Sequence, residues 1–317
     1  MRTVYLGTSD FAAVVLDRLA ESAHRPRLVV SRPDRRRGRG RKVSPPPVVE
    51  RARELGIDVL QPESVNAPES LERIAATDPE AACVCAYGAI IGDELLAAHT
   101  WLNVHPSLLP RWRGAAPIER AIEAGDAETG VAIMEPVAEL DAGPVYLTRT
   151  EPIRPDDDYG ALSGRLAALG GDLLVEALDT MPTPQPQGDD GVTYAAKIER
   201  DERLLAPALG APALERRVRA LTPHVGAYVE PVGGERLGVR RAVARGGGRL
   251  AGDSRADDDI PEAAADLASG ELAAGDGRLF YGTGEGVLEL LEVQPAGGRP
   301  MDVAAWLRGH GAALAAG

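Results

Sequence analysis

Short apolar runs at residues 4–6, 28–30, 59–60, 82–86 and 102–104 recur along the first third of this chain, with helix-patterned stretches such as 12–19 and 48–55 between them. A run that short, without polar alternation, reads as a strand covered on both faces. Parallel neighbours need a long crossover, which a helix supplies. The rhythm therefore predicts βαβ units and an α/β, Rossmann-like, mostly parallel sheet. The first turn carries Gly7 but no Gly-x-Gly-x-x-Gly, so nothing in it specifies a dinucleotide. Thr8 or Ser9 would cap the helix that follows.

The last of these runs ends in Leu102-Asn103-Val104-His105, and an isolated aspartate follows in Leu140-Asp141-Ala142-Gly143. If residues 101–105 form a strand, Asn103 and His105 project from one face. An amide donor and a titratable imidazole can then converge on one substrate carbonyl, with Asp141 orienting the imidazole and setting its protonation. Taken singly, an Asn-x-His pair is a common polar strand end, and an aspartate in such a tetrapeptide a common turn former. Their position gives them joint meaning: an apolar strand runs into a loop rich in Pro, Gly and Arg (106–117) and then a helix. Open α/β sheets bind ligands at such strand ends.

Further on, residues 130–134 and 144–147 read as a hairpin with Asp141 in its turn, and Leu162, Leu166, Leu169, Leu173 and Leu178 recur at near-helical spacing. The Pro- and Gly-rich stretch 181–191 is an extended connection. From about Arg216 onward, strand-like pieces at 227–229, 237–239, 279–281 and 287–293 alternate with Gly-rich turns and resemble a small β-barrel. The expected division is a catalytic domain at 1–181, a linker at 182–206 and a barrel domain at 207–317. There is no internal repeat.

A formal net charge of −13 over 317 residues argues against a protein that coats nucleic acid nonspecifically. The distribution is uneven. Residues 32–42 hold seven basic side chains against Asp34, whereas 251–277 hold eight acids against Arg255. The acidic stretch 253–266 reads as a solvated loop. Arg216, Arg217, Arg219, Arg236, Arg240, Arg241, Arg245 and Arg249 form a second basic group suited to a nucleic-acid backbone. Cys83 and Cys85 lie in a buried strand pattern and are expected to pack, and the five histidines are scattered, so a metal-free site is expected. No apolar run is of spanning length and the N-terminus runs straight into a strand, which points to a cytoplasmic protein.

The wording around the trio is more specific than the trio. Ser107-Leu-Leu-Pro-Arg-Trp-Arg-Gly-Ala-Ala-Pro-Ile-Glu-Arg120 and Gly125-Asp-Ala-Glu-Thr-Gly-Val-Ala-Ile-Met134 resemble the methionyl-tRNA formyltransferases, a branch of the folate-dependent formyltransferases. So do Gly7-Thr8-Ser9-Asp10-Phe11, the basic loop 32–47, Ala86-Tyr87-Gly88, Val192-Thr-Tyr-Ala-Ala-Lys197 and Gln294-Pro-Ala-Gly297. The resemblance implies a formyltransferase fold with an OB-like C-terminal barrel. It implies transfer of the formyl group of 10-formyltetrahydrofolate to the α-amino group of initiator methionyl-tRNA, by a monomer without metal. Asn103 and a protonated His105 would face the formyl oxygen and Asp141 would hold His105. Tyr87, Gly88, Ile90, Ser107, Leu108, Leu109, Pro110 and Asp141 would line the folate slot, and Arg35, Arg36, Arg37, Arg39, Arg41 and Lys42 would meet the tRNA. The alternative is the same chemistry on a small amine, such as an amino-sugar nucleotide or a purine precursor. Pro106, Leu205-Ala206 and His224-Val225 depart from the family pattern, outside the proposed chemistry.

Overall fold

A computed structural model of the chain describes residues 1–37, 42–246 and 260–314. The chain divides into two compact units: Met1–Pro117, Glu128–Pro152 and Ser163–Ala196 form one, and Ile118–Ala127, Ile153–Leu162 and Lys197–Gly317 the other.

The chain begins β1 (Thr3–Gly7), α1 (Asp10–Glu21), β2 (Pro26–Val30), β3 (Arg35–Arg37), β4 (Lys42–Ser44), α2 (Pro47–Glu54), β5 (Asp58–Leu60) and α3 (Pro68–Ala75). It continues β6 (Ala81–Cys85), α4 (Asp93–Ala98), β7 (Thr100–His105), β8 (Arg113–Gly114), α5 (Pro117–Ala124), β9 (Glu128–Met134), β10 (Val145–Pro152), α6 (Tyr159–Thr180) and β11 (Tyr194–Ala195). Seven strands make the main sheet, in the order β10-β9-β7-β6-β1-β2-β5. The stretch from β7 to β5 is parallel, and β9 and β10 add on antiparallel. The strand order reverses at β1, the switch point where a crevice opens beyond the strand ends.

The expected runs form the inner strands for the expected reason. Every residue of β1 and of β6 is buried, as helices on both faces require. Val4, Leu6, Val84 and Trp101 pack on one face, while on the other Tyr5 donates its hydroxyl to the Ala12 carbonyl at 2.6 Å. Ser9 caps α1 by accepting from the Ala12 N–H. Cys83 and Cys85 are free and buried, and burial pushes both thiols up to about 12.

In the second unit the order is α7 (Ala211–Leu221), β12 (Ala227–Val229), β13 (Leu237–Arg245), α8 (Glu262–Ala265), β14 (Leu272–Gly275), β15 (Arg278–Gly282), β16 (Val287–Pro295), β17 (Met301–Asp302) and α9 (Val303–Leu314). The antiparallel sheet runs β12-β13-β16-β15-β14, with β17 on β16, and register shifts between β13 and β16 add the twist that curls it into a half-barrel. Leu214, Val218 and Leu221 of α7 pack against Val239, Leu279, Tyr281 and Leu288.

Three sequence expectations change here. Residues 211–221 form a helix, because Leu214, Val218 and Leu221 at i, i+4 and i+7 supply one buried face. The acidic stretch is not wholly a solvated loop: 253–259 lie outside the described residues, but 262–265 form α8, and Ala264 is buried with Phe280 and Val287. Ile260, Ala264 and Leu267 follow the same helical spacing among the acids. Most of the second basic group is tied inside its own unit. Arg216 and Arg217 bond Glu123, Arg219 donates to the Asp157 carbonyl, Arg240 to Gln294, and Arg245 pairs with Glu289; Arg249 lies outside the described residues. Of the departures, Leu205 is fully buried and donates its N–H to the Tyr228 carbonyl, and His224 stacks on Tyr159 and meets Glu119 at 3.0 Å. Among the described residues no helix is long and apolar enough to cross a membrane.

Candidate active site

Strand β7 places the first two residues. Asn103 pairs with Val84 on one side and Met134 on the other, whereas His105 pairs only with Ala132 of β9. The chain leaving β6 has already turned away through Ala86 and Gly88, both at positive φ. The end of β7 thus overhangs its parallel neighbour, and the face shared by Asn103 and His105 opens there. The Asn103 amide has no hydrogen-bond partner among the described residues, while His105 is buried.

Both nitrogens of His105 face the protein. Nε2 lies 2.9 Å from the Trp112 carbonyl. A carbonyl only accepts, so Nε2 carries the hydrogen and the variable proton belongs to Nδ1. Nδ1 lies 3.7 Å from Oδ2 of Asp141. That is ion-pair range, too long for a hydrogen bond.

Asp141 arrives from the turn between β9 and β10, at φ +48°. Its Oδ2 accepts the Gly114 N–H at 2.9 Å. Gly143 has to be glycine: a Cβ there would sit 1.8 Å from the Glu135 carbonyl oxygen. The turn is held from outside by Gln187, whose Nε2 donates to the Asp141 and Gly143 carbonyls, each at 2.8 Å. Gln187 Oε1 in turn accepts from Nε of the buried Arg113 at 3.0 Å.

The loop 106–112 closes on itself through Ser107, which is fully buried and donates its hydroxyl to the Arg111 carbonyl at 2.7 Å. Leu108, Leu109 and Pro110 are half-buried. Thr193 holds the loop's far end: its Oγ1 accepts the Trp112 N–H and its carbonyl the Arg113 N–H, both at 2.9 Å. Strand β11 then pairs with β8.

A cleft of about 280 Å³ at the switch point is lined by Thr8, Ser9, Arg32, Arg35, Tyr87 and Gly88 among others. Burial pushes the Tyr87 phenol up, against the opposing charge of Arg32. Tyr87 and Gly88 therefore share a cleft with Arg35, whereas Ile90, on the same loop, is 86% exposed. Arg35 and Arg36 are exposed on a short antiparallel ladder in which Arg37 pairs with Lys42; Arg39 and Arg41 lie outside the described residues. No group of three or more His, Cys, Asp or Glu among the described residues is placed to hold a metal ion.

The structure thus brings His105 and Asp141 together and sets Asn103 on the same face of β7 as His105. Sequence reading missed what surrounds them: the Trp112 carbonyl, the Gly114 N–H, Arg113, Gln187 and Thr193. Backbone groups leave no side-chain signature, and Gln187 lies in a stretch whose prolines mark only extension.

A parallel sheet that ends in this amide, imidazole and carboxylate defines a class. Residues 1–178 match the formyl transferase domain and 197–311 the formyl transferase C-terminal domain, and the chain belongs to the formyl transferase family. Within it, the chain is 45% identical to the methionyl-tRNA formyltransferase of Halorhodospira halophila over 319 residues, covering 98% of this chain and 96% of that one. The fold is shared with the methionyl-tRNA formyltransferase of Clostridium thermocellum, with TM-score 0.55, 16% identity and coverage of 77% and 93%. It is shared also with an N-formyltransferase of Helicobacter canadensis solved with folinic acid and dTDP-3-aminofucose, with TM-score 0.57, 12% identity and coverage of 92% and 98%.

Proposed function

We propose that this protein transfers the formyl group of 10-formyltetrahydrofolate to the α-amino group of initiator methionyl-tRNA, in the cytoplasm. The acceptor rests on full-length similarity to methionyl-tRNA formyltransferases. The observation that carries the chemistry is the meeting of His105 Nδ1 and Asp141 Oδ2, with Asn103 two residues before His105 on the same face of β7.

The acceptor amine attacks the formyl carbon, the new C–N bond forms, and the bond to the folate nitrogen breaks, the amine losing one proton and the leaving folate nitrogen gaining one. Negative charge gathers on the formyl oxygen meanwhile, and a catalyst gains most from donors aimed there. Asn103 offers its side-chain N–H. A protonated His105 offers Nδ1–H, which the 3.7 Å gap to Asp141 leaves without a full hydrogen bond. Asp141 supplies the counter-charge and, through water, takes the proton of the attacking amine. The Trp112 carbonyl fixes the ring so that Nδ1 has one direction to point.

The folate slot is assigned to the loop 86–91, the half-buried residues 108–110, the turn carrying Asp141, and Ser107 as the buried brace behind them. Arg35, Arg36, Arg37, Arg39, Arg41 and Lys42 are assigned to the RNA, whose acceptor stem offers phosphates and base edges to guanidinium groups. The test is a formyl-transfer assay with methionyl initiator tRNA, the uncharged tRNA and a panel of amino sugars and small amines. Formylmethionyl-tRNA is the expected product. A faster reaction with a small amine would move the assignment to the alternative acceptor class.

A further inference from the structure

We infer that Gln187 and Arg113 are positioning residues of the reaction, closing a ring of contacts that sets the gap between His105 and Asp141. The inference rests on the reading of those two as the catalytic pair.

The ring can be followed atom by atom. His105 Nε2–H donates to the Trp112 carbonyl. The next residue, Arg113, is buried and sends its Nε–H to Gln187 Oε1. Gln187 Nε2 sends its two hydrogens to the carbonyls of Asp141 and Gly143. The Asp141 carboxylate then returns to His105 Nδ1. Each member fixes the next, so a shift at Gln187 reaches Asp141 through the backbone that carries it.

The segment bearing Gln187 is itself held at both ends. Gln185 exchanges two backbone hydrogen bonds with Val145 at 2.8 and 2.9 Å. At the other end Thr193, Tyr194 and Ala195 bond residues 110–116. This strap therefore spans from the edge strand to the loop that presents Trp112. The aspartate turn needs such a brace, because Asp141 sits at positive φ and Leu140 is largely exposed. Both hydrogens of one primary amide go to the two carbonyls that flank Ala142, and no other natural side chain of that length offers two donors and one acceptor.

Displacing a reacting group by about 1 Å costs on the order of 10²-fold in rate. Gln187→Ala is therefore expected to lower kcat by about 10- to 100-fold, with the KM of both substrates within about threefold. Gln187→Glu is the sharper variant. It keeps the volume and the Arg113 partner, but turns an oxygen toward two carbonyls, so kcat should fall as far as in the alanine variant with little change in Tm. In the double variant Gln187→Ala/Asp141→Asn the loss should equal that of Asp141→Asn alone, because Gln187 acts through Asp141.

Wild-type kcat in Gln187→Glu, losses that multiply in the double variant, or loss of cooperative unfolding in both single variants would overturn the inference and leave Gln187 a packing residue. His105→Ala and Asp141→Asn, assayed alongside, separate the two claims. If they keep activity, the catalytic reading fails whatever Gln187 does. If they lose it while both Gln187 variants stay active, only the inference fails.

Discussion

Asp141 combines a backbone at φ +48° with a carboxylate bonded on one oxygen to Gly114 and set 3.7 Å from an imidazole. The arrangement holds a negative charge in place beside the imidazole. Asp141→Asn keeps the size and an acceptor for Gly114 but removes the charge opposite Nδ1. Turnover should fall by about 10²- to 10⁴-fold, while folate affinity, read by calorimetry, changes less than about threefold. A matching loss of affinity would mean that Asp141 binds the donor and does not assist the reaction. Gly143, two residues on, tests the turn itself. In Gly143→Ala the new methyl overlaps the Glu135 carbonyl, so β9 and β10 must part at their junction. The expected cost is about 2–3 kcal/mol in urea unfolding, with a larger relative loss of kcat than of donor affinity.

At the level of elements, the short apolar strands, β7 among them, and the β9–β10 hairpin were legible from the sequence, because each declares itself by local pattern; the overhang of β7 depends on its register with β6 and was not. Asn103 and His105 could be placed on one face from period-two geometry alone. The strap at 185–195 could not, since its side-chain contacts join it to residues 44 to 81 positions away, and its prolines and glycines announce only extension. Helices α7 and α8 were obscured for another reason: their charged faces, arginine in one and acid in the other, outweighed three apolar residues at helical spacing. The β3–β4 ladder adds something to the basic loop that composition did not show. Arg35, Arg36 and Arg37 pair with Ser44, Val43 and Lys42, so their backbones are fixed before any RNA arrives. Replacing Arg35, Arg36 and Lys42 together by alanine should raise the KM for methionyl-tRNA by tenfold or more and flatten its dependence on salt, with kcat nearly unchanged. An unchanged salt slope in steady-state kinetics from 50 to 200 mM would remove the ladder from the RNA contact.

Over the whole molecule, a net charge of −13 opposes an RNA partner, and the basic residues have to act locally against that field. Inside the second unit many arginines serve another purpose, as counter-ions to carboxylates that would otherwise be costly to bury. Glu289 is one of these. It lies between Arg278 and Arg245, both at 2.8 Å, with its side chain only 6% exposed. Burial pushes its carboxyl up, but the two guanidinium groups overcome that and hold it below the ordinary 4.5. Glu202 is lowered likewise, first by its bond to Arg120. A carboxyl that ionises more easily folded than unfolded adds stability above its unfolded value, and that stability is lost as the pH falls through the lower folded one. The second unit should therefore weaken from about pH 4.5 downward. Glu289→Gln leaves two arginines facing each other without their counter-charge, at a cost of about 3 kcal/mol at pH 7. Below the folded value the wild-type side chain is neutral as well, so the two proteins should converge in urea unfolding once the pH has fallen through that value. A gap that stayed constant with pH would trace the cost to shape and hydrogen bonding at Glu289, leaving its charge without a part in holding the half-barrel together.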